Sequence, residues 1–288
     1  MISRLGVLFM RMLAPLPLAW VRALGKVLGL FLHIVVVPRR KVVDVNLRLC
    51  FPHWDALRRK RVAREVFVHV AQSFLDRAWL WHAAPEVVRR RIVLTGALRE
   101  IAGKEPAIIF APHFVGLDAG VTGLTQQQPR RMIGIYTRQS NPVVDAWVLQ
   151  GRHRFGDARP MSRSEGVREI VSALRGGDLM YLLPDMNFGP EESIFVPFYG
   201  VPAATVPSLS RFARLGRAKV VPVVTKLTRT GYEIRVHEAW VGFPTGDLEA
   251  DTALMNQRLQ AYIDEIPSQY YWVHKRFKTR PPGEPGVY

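Results

Sequence analysis

Between residues 91 and 228, short apolar runs rich in β-branched side chains alternate with stretches of helical period, and this alternation constrains the fold more than any other feature of the chain. "RIVLTG" (91–96), "PAIIFAP" (106–112), "RMIGIYT" (131–137), "DLMYLLP" (178–184) and "KVVPVVTKLT" (219–228) read as strands. Residues 142–153, 164–175 and 205–216 read as helices between them. Strands joined through helices require crossover connections, so the expectation is an α/β fold with a largely parallel sheet flanked by helices. "YEIRVHEAW" (232–240) reads as one more strand near an edge. Val62, Val66, Val70 and Phe74 recur at helical spacing and predict an amphipathic helix over 54–82. No repeat, low-complexity tract or long linker divides residues 51–288, so one α/β domain with an appendage is expected.

The appendage is the N-terminus. Residues 1–37 are mostly apolar, yet Arg4, Arg11, Arg22 and Lys26 interrupt them, and Pro15 and Pro17 break any single long helix. No uninterrupted run reaches the roughly 18 to 20 apolar residues of a membrane span. Spacings of 7, 11 and 4 bring the four charges to nearly one face at about 100° per residue, which suits helices lying in a membrane interface. A buried helical hairpin is the other reading. No short apolar core followed by a small-residue cleavage site precedes "PRRK", which argues against a cleaved signal peptide. Arg39, Arg40 and Lys41 after the apolar stretch point to the cytoplasmic side of a membrane.

Lys and Arg number 40 against 24 Asp and Glu, a formal charge of +16, which draws the chain to anionic partners: nucleic acid, anionic lipid or an acidic carrier protein. The single cysteine, Cys50, can form no internal disulfide and has no CxxC companion.

"APHFVGLDAG" (111–120) follows a candidate central strand, and the end of such a strand is where parallel-sheet enzymes place their chemistry. A neutral His113 imidazole can take a proton from a hydroxyl, and a carboxylate on its other nitrogen would fix the tautomer. Five residues of ideal helix turn about 500°, so His113 and Asp118 can meet only if His113 precedes the helix that holds Asp118. Helix capping explains the same residues without any chemistry.

"HFVGLD" (113–118) fits the H-x4-D signature of glycerolipid-type acyltransferases. With "NLRLCFP" (46–52), "YTRQSNP" (136–142), "PDMNFGPEESIFVPFYGVPAAT" (184–205) and "QYYWVHKRFKTRPPGE" (269–284), the chain resembles the late acyltransferases of lipid A biosynthesis over nearly its whole length. The resemblance implies residues 1–41 as a membrane-associated segment and 42–288 as the catalytic domain, at the cytoplasmic face of the inner membrane. It implies transfer of a fatty acyl chain from acyl carrier protein to a hydroxyl of a Kdo-bearing lipid A precursor. In that mechanism His113 is the base, Asp118 orients it, and the alkoxide attacks the thioester without an acyl-enzyme. The chain has no G-x-S-x-G elbow and no H-E-x-x-H, so neither a covalent intermediate, nor a metal, nor a cofactor is expected. A glycerol-phosphate or lysophospholipid acyltransferase would share the His and Asp, but that branch usually carries an E-G-T-R type motif where this chain reads "PDMNFGPEES". A non-catalytic binder of anionic lipid is a further alternative.

Arg138 follows a strand and precedes a Pro-initiated helix, placed to bind phosphate or a developing oxyanion, or simply to be solvated. Asn141 before Pro142 suits a helix N-cap. By the resemblance, Asp185 and its neighbours shape the acceptor pocket, although Asn187 stands where the family often has a second acid. Phe195, Phe198 and Tyr199 suit either an acyl groove or the core. Tyr270, Tyr271 and Trp272, interleaved with His274, Lys275, Arg276, Lys278 and Arg280, suit a membrane interface or a solvated tail.

Overall fold

The computed structural model describes residues 2–162 and 166–288. Helices α1 (Ile2–Leu13) and α2 (Leu18–Val35) flank the break imposed by Pro15 and Pro17. Helix α3 (Val37–Cys50) runs across residue 41 without interruption. Helix α4 (Ala56–His82) starts at Asp55, whose carboxylate accepts the Arg58 N–H at 2.7 Å. Val62 and Val66 are buried on α4, but Phe74 is 47% exposed, because the inward stripe drifts to Leu75, Ala78 and Trp79.

After α5 (Pro85–Arg91) the alternation appears as β1 (Ile92–Gly96), the single turn α6 (Arg99–Ala102), β2 (Ala107–Phe110), α7 (Leu117–Gln127), β3 (Met132–Tyr136), α8 (Pro142–Arg152), β4 (Ala158–Ser162), α9 (Val167–Arg175) and β5 (Leu179–Leu182). A hairpin of β6 (Ile194–Phe198) and β7 (Val201–Thr205) follows, then α10 (Ser208–Gly216), β8 (Lys219–Thr228), β9 (Gly231–Val236) and α11 (Leu248–Glu265). The seven-stranded sheet has the order β1-β9-β8-β2-β5-β3-β4, with every neighbouring pair parallel except β8 and β9. It is the α/β architecture that the alternation predicts, and β9 lies one place in from the edge.

Strand β4, the hairpin and α11 were not legible in the pattern. The β4 sequence "ARPMS" is short and carries a proline, which only an edge strand tolerates. Tyr199 and Gly200 both hold positive φ, 52° and 74°, as a two-residue hairpin turn of matching twist demands. The expected helices at 164–175 and 205–216 begin later, at Val167 and Ser208, after Gly166 and Pro207, and residues 164 and 165 lie outside the described residues.

Alternation along the strands divides the core between the two sheet faces. Ile109, Met132, Tyr181 and Val221 face α4, α7 and α8 through Trp79, Leu124 and Trp147. Ile108, Phe110, Ile133, Met180 and Val220 face α9 and α10 through Ile170, Leu174 and Phe212. At about 1.5–3 kcal/mol per fully buried large side chain, this double covering is the main source of cohesion.

Helix α2 lies against α4 at close range, since a Cβ added at Gly29 would fall 2.5 Å from the Val68 Cα. Arg22 reaches across that seam to the buried Asp76, with Nε 3.1 Å from Oδ1 and a terminal nitrogen 2.9 Å from Oδ2. The four N-terminal charges therefore do not share one outer face as their spacing suggested. The break between α1 and α2 resets the helical phase, and a carboxylate in the core gives Arg22 an inward partner. The outward surface of the two helices is largely apolar, with Leu8, Phe9, Met12, Trp20, Phe31 and Ile34 exposed alongside the cations Arg4, Arg11 and Lys26. Among the described residues α2 is the one helix long and apolar enough to cross a membrane, with a mean hydropathy of 1.6 over 18 residues.

Candidate functional site

Parallel pairing of β2 with β5 aligns Phe110 with Leu182, so residues 113 and 185, each three places beyond those ends, emerge side by side. Both chains leave the sheet through a proline, Pro112 and Pro184, which ends ladder pairing. His113 Nδ1 lies 2.7 Å from Asp185 Oδ1, and the His113 backbone N–H donates to Asp185 Oδ2 at 3.0 Å. The Tyr270 hydroxyl donates to the same oxygen at 2.9 Å. From the other side the His113 carbonyl accepts the Tyr271 N–H at 2.9 Å, and Phe114 forms a bridge with Tyr270. The histidine is thus clamped between the end of β5 and the C-terminal segment.

Burial by itself would raise the Asp185 carboxyl, but the His113 ring and the hydrogen bonds from His113 and Tyr270 outweigh it and hold the group below its ordinary range. An ionised carboxylate only accepts, so Nδ1 is the nitrogen that donates to it, and in the neutral imidazole the lone pair is then on Nε2. The His113 side chain is 20% exposed while Asp185 is fully buried, so the free nitrogen is the reachable end of the pair.

Asp118 does not orient His113. It sits in the first turn of α7, where its Oδ2 takes Arg77 Nε of α4 at 2.7 Å and its Oδ1 takes a terminal nitrogen of Arg152, on α8, at 3.2 Å. Burial pushes this carboxyl up, and the two guanidiniums outweigh that and hold it below its ordinary value. His113 does precede the helix as the spacing required, but two arginines from neighbouring helices claim the carboxylate that follows. The signal for Asp185 was available in the sequence as the matched endings "FAPH" and "LLPD" of two apolar runs. Nothing local marked Arg77 or Arg152.

A groove of about 1040 Å³ runs over this end of the sheet, with His113 and Asp118 on its wall. Leu117, Val121 and Tyr136 line it from one sheet face, Ile170 and Phe212 from the other. Its lining is mostly apolar, suited to a hydrocarbon chain. Arg138 lies at the β3 end beside the lining residues Thr137 and Gln139, with its side chain 82% exposed and Nε 3.6 Å from Asp145 Oδ2. Asn141 caps α8, accepting the Val143 and Val144 N–H groups, and donates to Ser3 Oγ of α1 at 2.9 Å.

Phe198 and Tyr199 belong to the core, Phe198 fully buried and Tyr199 packed against Phe51 and Trp272; neither they nor Phe195 line the groove. Much of the C-terminal segment is packed into the fold rather than left as a solvated tail, with Tyr271, Lys275 and Lys278 exposed. Tyr270, Trp272 and Arg276 are buried, because Asn46 of α3 holds the Trp272 and His274 carbonyls at 2.7 and 2.8 Å and Arg276 bonds the Ala204 carbonyl and Thr205 hydroxyl of β7. His274, also on the groove wall, accepts the Asn187 N–H at 3.1 Å, and burial followed by the Arg276 charge lowers its pKa to about 4.

The family model for bacterial lipid A biosynthesis acyltransferases matches residues 1–279. A lipid A biosynthesis acyltransferase of Haemophilus influenzae is 32% identical over 97% of this chain and 88% of its own. The lipid A biosynthesis lauroyltransferase of Escherichia coli is 31% identical over 99% of this chain and 93% of its own, and the palmitoleoyltransferase of that organism is 30% identical over 99% and 92%. A crystal structure of the 1-acyl-sn-glycerophosphate acyltransferase PlsC from Thermotoga maritima aligns with a TM-score of 0.40 at 15% identity, covering 85% of this chain and 97% of that one.

Proposed function

The chain belongs to the bacterial lipid A biosynthesis acyltransferase family, and from that premise we propose that it moves a fatty acyl group from acyl carrier protein to a hydroxyl of a Kdo-bearing lipid A precursor. The observation that carries the mechanism is the His113 and Asp185 pair, 2.7 Å apart, on the wall of an apolar groove. Nε2 of His113 takes the hydroxyl proton as the acceptor oxygen attacks the thioester carbonyl. The new C–O bond forms, the C–S bond breaks, and the imidazolium returns its proton to the departing sulfur, so no acyl-enzyme intervenes. Asp185 holds the tautomer and stabilises the transient cation, as a carboxylate on the far imidazole nitrogen does in hydrolase triads. Tyr270 and the His113 backbone N–H hold Asp185 in turn.

Asp118 belongs to the same site by another route, tying Arg77 and Arg152 beside the groove. Arg138, exposed at the β3 end of the groove, would bind an acceptor phosphate. The apolar outer surface of α1 and α2 supports a seat on the cytoplasmic face of the inner membrane. The Gly29 contact and the Arg22 bridge keep α2 alongside α4, as in a helix lying in the interface.

The test is acyl transfer followed by mass spectrometry, with Kdo-lipid A precursor, glycerol phosphate and lysophospholipid offered separately. Acylation of the lipid A precursor alone, lost in His113→Ala, is the expected result. Transfer to a glycerol-based acceptor would overturn the substrate class, and full activity in His113→Ala would overturn the mechanism.

A further inference from the structure

We infer that the outer surface of α9 and α10 is the docking face for the acidic carrier protein that delivers the acyl thioester, a site that rests on the proposed carrier-dependent reaction. Arg168 and Arg175 on α9, Arg211 and Arg214 on α10, and Arg217 directly after it are all exposed, against one acid, Glu169, on the same two helices. The pattern on α10 separates the two sides. Leu209, Phe212, Ala213 and Gly216 face the core, while Arg211, Arg214 and Leu215 face outward.

The positive field of this face is not neutralised from within. Arg77 and Arg152 share Asp118, Arg99 has Glu238 and Arg131 has Asp157, whereas Arg211, Arg214 and Arg217 meet no carboxylate among the described residues. Arg175 is spent on the Leu215 carbonyl, at 2.6 and 2.9 Å, which fixes α9 against α10 as one surface. Exposed Val167 and Leu215, at 53% and 41%, supply apolar contacts between the cations. A face of cations around a small apolar centre is complementary to an acidic helical surface.

Position decides the occupant. Val167, Arg211, Arg214 and Leu215 line the same groove as His113, so a carrier seated there can pass its acyl thioester along the groove to the base. Helices α9 and α10 also cover the sheet face opposite the one that α7 and α8 share with α1 and α2. A water-soluble protein reaches this side while the lipid acceptor arrives from the other, and neither substrate has to cross the path of its partner.

The experiment compares wild type with Arg211→Glu/Arg214→Glu, and with Arg89→Glu/Arg90→Glu on α5, which makes the same charge change on the far side of the sheet. Two donors are used, acyl carrier protein and an acyl-pantetheine thioester without the protein. In the α10 variant the ratio of kcat/KM for the carrier-bound over the carrier-free donor is expected to fall about tenfold or more, the size of an electrostatic steering effect, with weakened salt dependence. The α5 variant should keep the wild-type ratio. An unchanged ratio, or a rise in KM for the lipid acceptor instead, would overturn the docking face, the second by assigning these arginines to lipid phosphates. Binding of carrier protein without an acyl chain, read by surface plasmon resonance, separates docking from chemistry. A wild type that transfers nothing yet binds carrier through this face would sink the proposed reaction alone, and a carrier that binds the α10 variant as well as wild type would sink the docking face.

Discussion

At the scale of single residues, the site depends on where two protons sit. His113→Ala and Asp185→Asn should each lower kcat about 10²- to 10⁴-fold with the fold intact, and the double variant should be little worse than the poorer single, because the two act as one unit. Steady-state acyl transfer with circular dichroism checks this; multiplicative losses would separate the residues. Arg138→Ala should raise KM for the acceptor about fivefold with kcat nearly kept, since an exposed guanidinium contributes about 1 kcal/mol to a phosphate contact. His274 makes a pH prediction. Its pKa is about 4 in the folded chain against an ordinary 6.5, so the unfolded chain binds the extra proton between those values. The stabilisation is complete above about pH 6.5 and is lost as pH falls toward 4, and thermal melts across that window should show less dependence on pH in His274→Gln.

Among the elements, α4, α7 and α8 meet at one carboxylate. Asp118→Ala leaves Arg77 and Arg152 facing each other without an anion, and should cost about 2 kcal/mol in urea denaturation, below the range for a buried pair because both arginines are partly solvated. Asp118→Asn should recover part of that loss. Most of these elements were legible beforehand. The unbroken apolar runs "AIIF" and "LMYL", buried at every position, and the Pro142 helix start are local features that the chain carries in any context. The "ARPMS" strand was not legible, because its only qualification is its place at the sheet edge.

For the whole molecule, the proposed membrane seat depends on the outer face of α1 and α2. Replacing Trp20, Phe31 and Ile34 together by Glu removes three exposed apolar side chains without touching the α4 seam, and should release the protein from anionic phospholipid vesicles in a flotation assay. Wild type should float, and high salt should weaken but not abolish its binding, because burial of apolar surface is not screened. Release of wild type by salt alone would leave charge as the only attachment. Of the C-terminal aromatics, which composition left open to the same interface, Tyr270 and Trp272 are buried behind His113, and Tyr271 is the exposed one.

The chain alone determined that there would be a largely parallel sheet, that a histidine would stand at the end of one central strand, and that the net charge would be strongly positive. Each of these follows from hydrophobic period, proline placement or charge, which act within a few residues. Only the tertiary structure decided which carboxylate serves the histidine. His113 and Asp185 are 72 positions apart in the chain and meet because β2 and β5 are neighbours in register, whereas Asp118, five residues away, is turned by its helix toward Arg77 and Arg152. Local pattern encodes which face of a strand is buried, and strand order settles what the loops beyond it touch.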